Sequence, residues 1–234
     1  MDGRWIGRDR IRNFKLYNYS NNNSIADCDY LGDFDYASAE VEYVYDSGVN
    51  KQWGRKVSAV TDINFPPIRI EKVPYEKNGN KYRLKFPEQK YVPTITCYKG
   101  AGCDERKLDE YIRDSVYPYT TIRKHELHHV EIACQYWNVF VFETKVIEKI
   151  EYCDKNAAEA AWKYIVKRHI ILNSENNIEN REFDLSEYAL NGDPKMRSHF
   201  QSKIREHSNI IMQNTNDINL ENLYEKTYNP TIDK

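Results

Sequence analysis

The clearest chemical signal in this sequence is a run of five residues, His125, Glu126, Leu127, His128 and His129. A helix would place His125 and His129 on one face, one turn apart, where both imidazoles can reach the same metal ion. Imidazole nitrogen is a preferred zinc ligand, and catalytic zinc sites keep one position for water. Glu126 would lie near the metal without binding it, placed to take a proton from water and pass it to a leaving amine. The spacing therefore predicts a zinc-dependent hydrolase.

The arrangement His-Glu-x-x-His resembles the active-site motif of the zincin metallopeptidases. Zincins whose third ligand is a glutamate supply it from a later helix, and the resemblance points to Glu159 for this role. Glu159 stands in an alanine-rich stretch, where small side chains would let two helices approach closely. Asp184, His169 and His199 remain alternative third ligands. A third histidine at the short spacing of the metzincins is absent, so that subgroup does not fit.

Three residues around the motif have two interpretations each. His128 is expected either near the metal or on the surface, and Glu131 either orients a ligand or lies exposed. Tyr188 either packs in the ordinary way or stabilises the oxyanion of a tetrahedral intermediate. With nineteen tyrosines in the chain, ordinary packing is favoured for Tyr188.

The elements that must position the motif are predicted helices in the second half of the chain. Leu127, Val130, Cys134 and Trp137 form one apolar stripe, which predicts a helix over Thr120–Trp137. High helix propensity in the alanine-rich stretch and an Asp-Pro start before residue 195 indicate further helices. The remaining predicted helices cover 104–115, 154–171 and 195–206, and an Asn-rich tail over 209–234 is expected to be loosely ordered.

The first half of the chain predicts strands over residues 37–98. Tyr82, Leu84 and Phe86 alternate with charged residues, which is the period of a half-buried strand. Asn78-Gly79 is a strong hairpin signal and predicts pairing of about 68–73 with 81–86. The expected fold class is α+β, with a β-rich part and its hairpin followed by a helical part, 104–206, that carries the motif. Two more strands are predicted at Val41–Tyr45 and Lys56–Ile63.

Composition restricts the class of protein. Hydrophobic residues make up 40% of the chain and charged residues 30%, and no apolar run approaches the ~20 residues that a membrane helix needs. The net charge of −2 argues against a nucleic-acid binder, because phosphate binding usually leaves a basic surface. No apolar segment follows the first residues, so a secretory signal peptide is not expected from this sequence.

Five cysteines, an odd number, fit no zinc-ribbon spacing. Buried or free thiols are the favoured interpretation. The alternatives are a Cys97–Cys103 pair or a Cys134–Cys153 pair, formed in an oxidising compartment.

The first 32 residues resemble the C-terminal end of an Rhs/YD-repeat core. Residues 3–11 read GRWIGRDRI and residues 16–32 read LYNYSNNNSIADCDYLG, which align with the terminal motif of that family. Arg10, Ser24 and Tyr30 stand where the family usually has proline. The resemblance divides the chain into an Rhs remnant, 1–32, and a toxin domain, 33–234.

The Rhs resemblance implies a biological setting. Rhs proteins form β shells that enclose a variable C-terminal toxin, which a secretion system delivers into a target cell. On that basis we expect a metallopeptidase toxin that cleaves a target-cell protein, a parent Rhs shell, and a cognate immunity protein. A metal-dependent nuclease toxin using the same histidines and a non-enzymatic, metal-binding interaction domain are the alternatives.

Overall fold

The computed structural model describes residues 41–52, 55–68, 73–86, 90–112, 121–188 and 194–215. The chain divides into two units, Met1–Ala39 and Glu40–Lys234, and the described residues belong to the second. The Rhs-like motifs, the boundary predicted after Gly32, Cys28 and residues 216–234 of the predicted tail lie outside the described residues.

The described strands form one small mixed sheet and two hairpin-like ribbons. The strands are β1 (Glu42–Asp46), β2 (Asn50–Gln52), β3 (Arg55–Val57), β4 (Ala59–Asp62), β5 (Tyr75–Asn78), β6 (Lys81–Leu84) and β7 (Thr94–Tyr98). In the sheet the strand order is β1-β7-β4, with β1 parallel and β4 antiparallel to β7. The antiparallel pairs β2–β3 and β5–β6 are separate from it.

Three long helices follow in the described part of the chain: α1 (Ile122–Glu148), α2 (Lys155–Tyr188) and α3 (Pro194–Thr215). Thr121 caps α1 by accepting from the Lys124 backbone N–H, and Asp154 accepts from the Ala157 N–H at the start of α2. The predicted α+β fold with a C-terminal helical part is thereby confirmed. Among the described residues, no helix combines the length and apolar character that a membrane crossing requires.

A buried ion pair joins the two longest helices. The Arg168 guanidinium on α2 binds both carboxylate oxygens of Glu143 on α1, at 2.9 Å from Nε and from Nη2. Glu143 is 6% exposed, so the bidentate geometry offsets the cost of removing its charge from water. The pair fixes how α2 lies along α1, the helix that carries the histidine motif.

Two predicted helices are too short in comparison with the structure. α2 continues past Ile171 to Tyr188, and α3 continues past Glu206 to Thr215, so the loose tail predicted from 209 is wrong over 209–215. Asparagine has low helix propensity because its side chain competes for backbone groups. Burial of the α2 asparagines against neighbouring elements outweighs that preference.

The predicted helix over 104–115 is wrong across its described part. Residues 104–112 contain one 3₁₀ turn, Lys107–Asp109, in which Leu108 is the buried side chain. Leu108 is buried whereas Tyr111, three residues later, is exposed, so the two do not form the buried stripe of an amphipathic helix. The backbone at Glu110 and Tyr111 instead pairs with residues 121 and 122 in extended form.

The predicted hairpin exists, but its first strand begins later than expected. β5 pairs with β6 in a register that places Asn78 opposite Lys81, so Gly79 and Asn80 form a two-residue turn. Gly79 has φ +59°, the left-handed conformation that such turns require. Pro74 precedes β5, and a strand tied to so short a turn must lie directly before it rather than at 68–73.

Cys97 and Cys103 form a disulfide that closes the turn after β7, with their Cα atoms 5.5 Å apart. This is one of the pairings that the sequence left as an alternative, and the preference for free thiols was wrong at these two positions. Cys134 is a buried thiol and Cys153 an exposed one, so the second alternative pair is not formed.

Candidate metal centre

The structure brings together three buried side chains that could hold a metal ion: His125, His129 and Asp184. The two histidines lie one turn apart on α1, and Asp184 lies near the end of α2. The two Nε2 atoms are 3.1 Å apart. Asp184 Oδ1 is 3.2 Å from Nε2 of His129 and 3.6 Å from Nε2 of His125.

The spacing of these three atoms matches that of ligands around one ion. In a tetrahedral zinc site with bonds of about 2.0–2.1 Å, two ligand atoms lie about 3.3 Å apart. The three observed separations, 3.1, 3.2 and 3.6 Å, bracket that value. Three converging ligands of the His₂-carboxylate type are the set found in catalytic zinc peptidase sites. The residues present therefore fit a zinc ion.

Arg181 holds the second carboxylate oxygen of Asp184. Its Nη1 lies 3.3 Å from Asp184 Oδ2, so Oδ1 is the oxygen that faces the histidines. Burial alone would raise the pKa of the Asp184 carboxyl. His129, His125 and Arg181 outweigh that effect and hold the pKa below its usual range, which keeps the carboxylate ionised as a metal ligand must be.

An aromatic side chain packs against the histidine motif. The Phe183 ring centroid lies 4.2 Å from that of His128 and 5.2 Å from those of His125 and His129. Its apolar ring lowers the local dielectric, which strengthens electrostatic interactions within the site. His128 itself turns to Glu131, with Nδ1 2.9 Å from Oε2, so these two residues pair with each other.

The glutamate of the motif is anchored by the neighbouring strand. Glu126 is buried at 5% exposure, and its Oε2 accepts from the Thr61 hydroxyl at 2.7 Å. Thr61 also lies 3.1 Å from the Glu126 backbone carbonyl. Thr61 belongs to β4, so this contact joins the sheet to α1 and holds the carboxylate of the residue that follows His125.

Alternate residues of the segment Thr61–Phe65 face the two helices. Thr61 contacts Glu126 on α1, whereas the Ile63 carbonyl accepts from Asn176 Nδ2 and the Phe65 N–H donates to Asn173 Oδ1. The period of two is that of extended chain, which directs every second residue to the same side. One short segment thus sets the distance between sheet and both helices at the site.

The structure places Glu159 far from the histidines. It lies near the start of α2 and pairs with Lys155, 3.2 Å away, one turn earlier. At ~1.5 Å per residue, Glu159 and Asp184 are separated by roughly 37 Å along the same helix. The assignment of Glu159 as a ligand is therefore corrected to Asp184, the first of the alternatives.

The other two alternatives have different environments. His199 is an exposed residue of α3, and the partial burial of its ring, with the nearby charges of Arg181 and Lys203, lowers its pKa. His169 is fully buried on α2, with Nε2 3.1 Å from the Pro66 carbonyl and its ring packed on Phe65 and Phe140. Neither belongs to the metal-ligand group. The side chain of Tyr188 lies outside the described residues.

Asn180 is a site residue that the sequence analysis missed. Its Oδ1 lies 2.6 Å from Nδ1 of His129. Polar residues 173, 176, 180 and 184 recur every three or four positions, which is the period of one helix face. That polar stripe was the available signal, and it was overlooked because the predicted helix ended at Ile171.

His169 makes stability depend on pH. Burial lowers its pKa from 6.5 to about 3, so the folded state keeps this side chain neutral. The unfolded chain takes up a proton near pH 6.5, so the stabilisation is complete above that pH and is lost as the pH falls toward 3. The His169→Gln variant keeps an amide that can donate to the Pro66 carbonyl but has no imidazole to titrate. Between pH 7 and pH 5 we expect the free energy of unfolding to fall by about 2 kcal/mol more in wild type than in this variant.

Urea unfolding of both proteins at the two pH values, in chelator, measures this difference. His207, whose pKa burial lowers to about 4, is present in both proteins and cancels from the comparison. An equal pH dependence in wild type and variant contradicts the prediction.

Comparisons of the chain with protein-family models, with curated proteins and with solved structures found no match. The functional inference therefore depends on the chemistry of the site.

Proposed function

We propose that this chain is a zinc metallopeptidase in which His125, His129 and Asp184 hold the metal and Glu126 is the general base. The observation that carries the proposal is the convergence of three ligand atoms at tetrahedral spacing, two of them on α1, the helix that also bears the buried Glu126, and one on α2. Two imidazoles with one carboxylate favour zinc over magnesium or calcium, which prefer sites made of oxygen ligands.

When bound, zinc lowers the pKa of a coordinated water and polarises a substrate carbonyl. Glu126 accepts the proton of the attacking water and then donates it to the nitrogen of the breaking peptide bond. The Thr61 hydroxyl restrains the Glu126 carboxylate throughout, so the base does not have to be oriented during the reaction. Asn180 and Arg181 restrain His129 and Asp184 in the same way.

A peptide is the substrate class that the sheet favours. In the described part of the chain β4 pairs with β7 and with no second strand. An extended peptide could add to the other edge through backbone hydrogen bonds. Because Thr61 on β4 contacts Glu126, a peptide bound along β4 would pass close to the general base.

The setting we propose is that of a toxin tip of an Rhs protein, delivered into a target cell and paired with an immunity protein. The support is the N-terminal sequence motif, residues 3–32. The Cys97–Cys103 disulfide adds to it, because such bonds persist in oxidising compartments rather than in the cytosol.

Proteolysis by the zinc-loaded chain tests the proposal. The purified chain, with zinc content measured, is incubated with a denatured protein mixture, and new N-termini are identified by mass spectrometry. We expect cleavage that 1,10-phenanthroline abolishes and added zinc restores. One bound zinc without any cleavage would instead indicate a structural metal, and cleavage that resists the chelator would contradict the metal mechanism.

A further inference from the structure

Two buried asparagines connect a metal ligand to the segment that follows β4. Asn180 contacts His129, and its Nδ2 lies 2.7 Å from Asn176 Oδ1 and 2.8 Å from the Asn176 backbone carbonyl. Asn176 Nδ2 in turn lies 2.6 Å from the Ile63 carbonyl. Both asparagine side chains are fully buried, so water does not compete for these hydrogen bonds.

The direction of every hydrogen bond in this chain of contacts is fixed. A backbone carbonyl can only accept, so the Asn176 group facing Ile63 must be the amide nitrogen. Asn176 Oδ1 then accepts from Asn180. A second contact identifies the same end of the Asn180 amide as the nitrogen, because it also faces the Asn176 backbone carbonyl. These two contacts use both hydrogens of the Asn180 amide. Asn180 therefore presents its oxygen to His129.

An amide oxygen can only accept, so His129 must carry a hydrogen on Nδ1. Its Nε2, the atom that faces His125 and Asp184, is then the nitrogen with the lone pair available to a metal. We infer that Asn180, held by Asn176 and the Ile63 carbonyl, is a positioning residue that fixes the tautomer and ring orientation of His129 for metal binding through Nε2.

This inference depends on the metal site of the proposed function but not on proteolysis, so it is tested by metal affinity. Asn180→Ala removes the oxygen that accepts the Nδ1 hydrogen of His129. Asn177→Ala is the matched control: Asn177 is also buried on α2, and its amide donates to the Asn173 backbone carbonyl, 2.9 Å away. Both alanine changes therefore remove one buried asparagine from the same helix.

Zinc affinity is measured by competition with a chromophoric chelator, with circular dichroism as the check on folding. We expect Asn180→Ala to lose about 10–100-fold in affinity, and Asn177→Ala to stay within about threefold of wild type. In the zinc-loaded wild type, the Nδ1–H proton of His129 should give a downfield NMR signal protected from solvent exchange. That protection should be lost in Asn180→Ala alone.

The outcomes separate the two claims. If the wild-type chain binds no zinc, the metal site itself is wrong. If wild type binds zinc and the two alanine variants bind it equally, or if the Nδ1–H signal survives in Asn180→Ala, the metal site stands and the positioning role is overturned. Should Asn180→Ala fail to fold, a weakened affinity in Asn176→Ala, with the Nδ1–H signal exchanging faster, supports the inference and an unchanged affinity there contradicts it.

Discussion

Replacing Glu126 by glutamine is expected to reduce peptide hydrolysis by the zinc-loaded chain by about 10²–10⁴-fold, the range typical of a lost general base. The amide has nearly the shape of the carboxylate and can still receive the Thr61 hydrogen bond, so the fold and the three ligands remain. It cannot accept a proton from water at neutral pH. The variant should therefore keep one zinc per chain while losing kcat.

The measurement is the initial rate of cleavage of a peptide identified in the proteolysis experiment, with zinc content determined on the same samples. Glu131→Gln is the matched control, because it makes the same change on α1 at a glutamate that pairs with His128. We expect this control to retain near wild-type activity. A fully active Glu126→Gln chain would contradict the assignment of the base, whatever the metal content.

Replacing Asp184 by alanine is expected to abolish stoichiometric zinc binding, with a loss in affinity of more than about 100-fold. Removing a residue that only orients a metal ligand typically lowers metal affinity by about 10–100-fold. Asp184 supplies one of the three converging atoms itself, so its removal should cost more. Glu159→Ala should bind zinc like wild type, because Glu159 pairs with Lys155 at the far end of the same helix.

Metal content and thermal unfolding with and without zinc measure the difference. Zinc at a thousandfold excess over its Kd should stabilise wild type and Glu159→Ala by about 4 kcal/mol and should leave Asp184→Ala unchanged. The apo forms report separately on folding, since removal of Asp184 leaves Arg181 without this ion-pair partner. Zinc loss in Glu159→Ala with retention in Asp184→Ala would reverse our correction.

Local sequence was sufficient to locate half of the site. His125, Glu126 and His129 lie within one helical turn and a half, so their mutual geometry follows once the apolar stripe predicts a helix. The Asn78-Gly79 turn likewise specified a hairpin, although Pro74 and the turn length set its first strand later than the hydrophobic pattern had suggested.

The third ligand could not be found in this way. The preference for Glu159 came from resemblance and from a helix thought to end at Ile171. In the structure that helix runs on to Tyr188, and two of its asparagines have hydrogen-bond partners remote in sequence: Asn176 donates to the Ile63 carbonyl, and Asn173 accepts from the Phe65 N–H. Intrinsic propensity counts those asparagines as unfavourable, and only tertiary hydrogen bonds reverse the balance.

The sequence by itself determined the motif, its helix, the α+β class and the exclusion of a long apolar span. The tertiary structure alone decided that Asp184 faces the histidines, that Thr61 holds Glu126 and that Asn180 holds His129. The physical reason is sequence distance. Contacts within one helix follow from its period. Thr61, Asn180 and Asp184 reach the motif only because β4 and α2 pack against α1, and the pattern of neighbouring residues does not specify that packing.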